Sequence, residues 1–78
     1  SSVRQVSLTG RINEAVLKQL KKLPGTSEFE SRESALHFHY TGPMQPLLKI
    51  LAAHALDDVR IQEADLDTLF MHYYKDDA

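Results

Sequence analysis

The sequence predicts an α+β two-layer sandwich, and three observations carry that prediction. Segments with period-2 alternation and segments with helical period follow one another in the order β-α-β-β-α-β-α. Breakers and caps separate them: Gly10, Asn13, Pro24-Gly25, Gly42-Pro43 and Asp57-Asp58. The chain has 78 residues, 42% hydrophobic and 26% charged, which suits one small folded domain over residues 1–78.

Val3 to Leu8 reads as the first strand. Val6 and Leu8 alternate with Gln5, Ser7 and Thr9, and Gly10 breaks the pattern. Asn13 then caps a helix reaching to about Leu23. Its Val16, Leu17, Leu20 and Leu23 share one side, and Lys18, Gln19, Lys21 and Lys22 face water. Pro24-Gly25 stops it, because proline cannot continue the hydrogen-bond ladder. Glu28 to Arg32 is a weak strand around Phe29, with charged outward residues that suit a sheet edge. Arg32-Glu33-Ser34 leads into the clearest strand, Ala35 to Thr41. There Leu36, Phe38 and Tyr40 face one way, and His37, His39 and Thr41 the other.

Gly42-Pro43 ends that strand, and a second helix starts near Gln45-Pro46 and runs through Leu47, Leu48, Ile50, Leu51, Ala52 and Ala55. Leu56-Asp57-Asp58 turns the chain into a short strand, with Val59 and Ile61 inside and Arg60 and Gln62 outside. A terminal helix follows. Two βαβ units with right-handed crossovers place both long helices on one face of a four-stranded antiparallel sheet. This is the ferredoxin-like βαββαβ order with an added C-terminal helix.

Composition narrows the function classes. The net charge of −2 argues against a nucleic-acid binder, which would usually be basic. The strand aromatics Phe38 and Tyr40 share a face with Leu36, which assigns them to the core and not to base stacking. There is no cysteine, hence no disulfide framework and no thiolate chemistry. No apolar run approaches the roughly 20 residues that span a bilayer, so no direct membrane insertion is expected. The first residue is Ser1, not methionine, which suggests a domain excised from a longer chain.

The search for chemistry returns little. His37 and His39 share one strand face at a spacing that can serve a metal, but a third and fourth ligand are missing. His54 and His72 read as surface or boundary residues on helices. No serine lies in a nucleophile-elbow context, and Gly10, Gly25 and Gly42 are isolated turn glycines with no phosphate loop. The sequence therefore assigns no catalytic, cofactor-binding or metal residues. Lys18, Lys21 and Lys22 read as a solvated helix face.

The terminal helix carries the strongest signal. Leu66, Leu69, Phe70 and Tyr73 fall at i, i+3, i+4 and i+7, Asp65 stands at the N-cap, and Asp67 adds negative charge to the first turn. Such a stripe must be covered by its own domain or by a partner. The expected division is that Leu66, Leu69 and Phe70 dock the helix on its own domain, while Met71, Tyr73 and Tyr74 offer a partner interface.

With these residues in view, a family resemblance follows. Glu63-Ala64-Asp65-Leu66-Asp67-Thr68-Leu69-Phe70-Met71-His72-Tyr73-Tyr74 resembles the C-terminal signature of ABC transporter ATP-binding subunits of the drug and antibiotic export type. There a Glu-Pro-Ser-Leu-Glu-Asp/Glu-hydrophobic-Phe segment follows a short strand near the chain end. Leu66, Leu69 and Phe70 match its apolar positions. Ala64, Asp65, Asp67 and Thr68 stand where proline, serine, glutamate and an acid are usual. Leu20-Lys21-Lys22-Leu23-Pro24-Gly25 is similar to the family's Leu-Pro-Gly helix end, and Leu47 to Leu56 to its second helix.

The resemblance implies a non-catalytic C-terminal accessory domain with a regulatory or assembly role. ATP and Mg would bind only in an upstream domain. The implied partners are that ATP-binding domain, a second ATPase subunit or the membrane permease, at the cytoplasmic face of the cell membrane. An ACT-type small-molecule sensor shares the same element order and remains the alternative, with Gly10 in the loop after its first strand. A metallochaperone would need a metal-binding loop at that place.

Overall fold

In the computed structural model, which describes residues 3–74, the sequence forms β1 (Arg4–Gly10), α1 (Glu14–Lys22), β2 (Thr26–Arg32), β3 (Ala35–Tyr40), α2 (Met44–Ala52), β4 (Leu56–Glu63) and α3 (Leu66–Tyr74). The four strands form one sheet in the order β2-β3-β1-β4, and every neighbouring pair is antiparallel. The result is a small α+β architecture with two helices layered on one sheet face. The element order matches the expectation, and β2 lies at an edge.

The pleat sorts the side chains into two faces. Val6 pairs with Phe38 and Leu8 with Leu36 in the β1–β3 register. With Tyr40 they form one apolar face, which packs against Val16 and Leu20 of α1 and Leu47 and Leu51 of α2 in a single cluster. The opposite face is polar. Gln5 and Ser7 of β1 pair with His39 and His37 on one side and with Gln62 and Arg60 on the other.

Local chemistry fixes the junctions. Asn13 is the N-cap of α1, and its Oδ1 accepts the Val16 N–H at 3.0 Å. At the other end, the Thr26 hydroxyl reaches the Leu20 and Leu23 carbonyls at 2.8 and 2.9 Å, which closes the last turn onto β2. Gly10 has φ +122° at the register shift between β1 and β4, and a Cβ there would lie 2.6 Å from the Asp57 amide nitrogen. Only glycine fits that backbone.

Three differences from the sequence reading have physical causes. The second strand begins at Thr26 instead of Glu28, and a bulge between Ser27 and Glu30 sits where Glu28 adopts φ 56°. The extra residue keeps Phe29 on the core side, where its ring stacks on Phe38 at 4.9 Å. Glu33 and Ser34 form a two-residue hairpin turn, with φ of 54° and 62°. Positive φ at both central residues is the type I′ signature, although the usual asparagine and glycine are absent. Finally, β4 extends from Leu56 to Glu63, so the Asp57-Asp58 stretch read as a turn is strand, with Asp58 paired to Thr9 of β1 and Asp57 as the extra residue of the bulge.

Candidate interaction surface on the terminal helix

The chain leaves β4 along β1 and then folds over the polar face of the sheet. The Ala64 N–H donates to the Val3 carbonyl at 3.0 Å, which holds the exit point. Asp65 starts the helix, with Oδ1 accepting the Thr68 N–H at 2.7 Å and its carbonyl accepting the Leu69 N–H at 2.9 Å. Hydrogen bonding from Thr68, through its side chain first and its backbone second, holds the Asp65 carboxyl below its usual range. Asp67 adds a second negative charge to the first turn.

The orientation of α3 corrects the expected division of labour. No α3 residue is fully buried. Thr68, Leu69 and His72 are half-buried, whereas Leu66 is 81% exposed and Phe70 58%. Leu69 is thus the one expected docking residue turned towards the domain, and Leu66 and Phe70 do not anchor the helix. At 100° per residue, the half-buried side lies about a quarter to a third of a turn from the apolar stripe. The cause is the surface beneath. That sheet face offers chiefly the polar side chains Gln5, Ser7, His37 and His39, with Val3, buried outside the core cluster, two residues before Gln5, so hydrogen-bonding groups make much of the contact with the helix.

Met71, Tyr73 and Tyr74 are exposed, with 55 to 60% of each side chain's residue surface open. Phe70 and Tyr74 stack on each other with ring centroids 4.5 Å apart, and Tyr73 packs edge-on against His72. The outer side of α3 is therefore a continuous aromatic and aliphatic surface made of Leu66, Phe70, Met71, Tyr73 and Tyr74.

The histidines occupy the space beneath. His39 Nδ1 and His72 Nδ1 lie 2.8 Å apart, the tie between the sheet and α3. One ring must donate its Nδ1–H and the other must accept, so at least one ring in this bond is neutral. His37 Nδ1 bonds the Ser7 hydroxyl at 2.8 Å, and its buried Nε2 has no hydrogen-bond partner. A cleft of about 550 Å³ opens beside them, lined among others by Glu28, Glu30, Arg32, Asp67 and Met71. Among the described residues, no group of three or more His, Cys, Asp or Glu side chains could hold a metal ion.

His54 lies apart, with Nε2 2.8 Å from Gln19 on α1. Lys18, Lys21 and Lys22 are exposed, with the Lys21 ammonium 5.7 Å from the Phe29 ring centre. The sequence reading missed the role of His72. The available signal was its place beside the apolar stripe, opposite a sheet face carrying two further histidines.

Comparison with protein families, curated proteins and solved structures found no match. None of the described helices is long and apolar enough to cross a membrane.

Proposed function

We propose that this chain is a non-catalytic regulatory or assembly domain of an ABC transporter ATP-binding subunit of the drug or antibiotic export type. It uses α3 to contact its own ATP-binding domain, a second ATPase subunit or the membrane permease at the cytoplasmic face. We read its strand order β2-β3-β1-β4, antiparallel throughout, as the ferredoxin-like sandwich with a third helix on the free sheet face. The reading is supported by the likeness of residues 63–74 to the terminal signature of such subunits.

The observation that carries it is the exposed side of α3. Five large apolar side chains, Leu66, Phe70, Met71, Tyr73 and Tyr74, stand open on a helix of nine residues. Contiguous apolar surface of this kind marks protein contacts. Aromatic residues and methionine are enriched in such interfaces. The test uses the full-length subunit expressed with its permease. Truncation after Asp65, or Phe70→Ser combined with Tyr74→Ser, should lower co-purification with the permease or the coupling of ATP hydrolysis to transport, with nucleotide affinity unchanged. Normal assembly and transport in both variants would overturn the proposal.

A further inference from the structure

The second unpartnered surface is a strand edge. β4 closes one side of the sheet, and Asp57 to Arg60, Gln62 and Glu63 are all exposed. Main-chain groups alternate along a strand between its two neighbours. The Ala64 N–H points to β1, since it bonds the Val3 carbonyl. By that alternation Gln62 and Arg60 also face β1, whereas Glu63, Ile61 and Val59 present their N–H and C=O groups to the open side. Unpaired edges of this length invite another strand, and natural proteins blunt them with proline, bulges, charged side chains or a covering loop. β4 carries charges of both signs, Asp57, Asp58 and Glu63 with Arg60, and a bulge at its start. In β4 there is no proline.

We infer that β4 pairs antiparallel with β4 of a second copy of this chain, centred on Val59, to make a continuous eight-stranded sheet. The charges select both the occupant and the register. Centring on Val59 places Val59 opposite its own counterpart and Asp58 opposite Arg60 of the second copy, twice by the two-fold symmetry. Asp58 and Arg60 then form non-hydrogen-bonded pairs, in which Cα atoms approach to about 4.5 Å and side chains meet most closely. Shifting the register one step either way, with outward residues still facing, sets Asp58 against Asp58 or Arg60 against Arg60. Like charges directly opposite are destabilising.

Two further facts agree. Among the described residues, the salt bridges involve Arg32 with Glu30 and Glu33, and neither Asp58 nor Arg60 has an ion-pair partner. Val59 is 40% exposed and pairs with the fully buried Leu8, so its contact with a second Val59 extends the apolar face of the sheet. This inference rests on β4 and not on α3, so it stands or fails separately from the proposed transporter role.

Sedimentation equilibrium of the 78-residue chain tests it. The unmodified chain should show a concentration-dependent monomer–dimer equilibrium. Asp58→Lys alone and Arg60→Glu alone should each weaken the dimer roughly 10- to 100-fold, because two facing pairs change from attraction to repulsion. An equimolar mixture of the two variants should restore dimerisation, since each then meets the opposite charge. Circular dichroism confirms that each variant is folded. A chain that stays monomeric at millimolar concentration would overturn the inference. Single variants that dimerise like the parent, or a mixture that fails to recover, would do the same for this register.

Discussion

Phe38→Ala tests the core most directly. Phe38 sits in β3 between β2 and β1, opposite Val6, and is 1% exposed. Its ring stacks on Phe29 with an interplanar angle of 23°. Truncating a buried phenylalanine costs about 3–5 kcal/mol, from lost burial plus the cavity left behind. Phe29 is only half-buried and already in contact, so it can lean into the space. That relaxation places the expected loss near the lower end, about 3 kcal/mol. A small domain loses about 1 kcal/mol of stability per molar urea, so the unfolding midpoint should fall by about 3 M. Since a chain of this size is only marginally stable, that loss removes a large share of its total stability. Phe70→Ala is the matched control. The same substitution on the exposed side of α3 should stay within about 0.5 kcal/mol. Urea curves followed by circular dichroism compare the two. A midpoint shift below about 1 M for Phe38→Ala, or equal shifts for both variants, would refute this assignment of the sheet faces.

Two further outcomes follow from backbone and burial. Glu33→Asn combined with Ser34→Gly supplies the residues that a type I′ turn favours and should raise stability by about 1 kcal/mol, read as a higher melting temperature. Tyr40 is fully buried, with its hydroxyl donating to the Pro43 carbonyl, and burial pushes its phenol above 10.0. The folded state then holds the proton more tightly than the unfolded state. This contribution is fully present below pH 10 and is lost as pH rises through the folded value. Tyr40→Phe should remove that alkaline slope, while costing about 1–3 kcal/mol at neutral pH because the Pro43 carbonyl loses its donor.

The order of elements and the core were legible in the sequence because both rest on period. Leu36, Phe38 and Tyr40 alternate, Val16 and Leu20 repeat along a helix, and all five are buried together. The Asn13 cap and the edge position of β2 were legible for equally local reasons. What was not legible depends on pairing between distant segments. The bulge at Glu28 arises because Phe29 must meet Phe38 while Ser27 and Glu30 face His39 and His37. Asp57 and Asp58 carry turn chemistry, but β1 is long enough to pair with Asp58 and Leu56, and Asp57 is taken up by a bulge. The rotation of α3 was hidden for a similar reason. An apolar stripe shows which side of a helix wants cover, but not whether the surface beneath can provide it.

That surface makes the energetics of α3 uneven. On the domain side the helix is held by the exit bond from Ala64 to Val3, by partial burial of Leu69 and by the pair His39–His72. A net hydrogen bond of this kind contributes about 0.5–1.5 kcal/mol. On the outer side, fully covering one large apolar side chain contributes about 1.5–3 kcal/mol, and five such side chains stand open. A partner covering even Phe70 and Tyr74, whose rings are already stacked against each other, therefore outweighs the histidine tie. Pre-stacking lowers the entropy lost on docking, since the two rings are ordered before the partner arrives. On the domain side α3 is thus held by modest contacts, polar at His39 and His72 and apolar at Leu69, and its larger apolar surface lies on the outer side. In the proposed regulatory or assembly role that imbalance is useful, because the domain holds the helix in place without using the outer surface assigned to a partner.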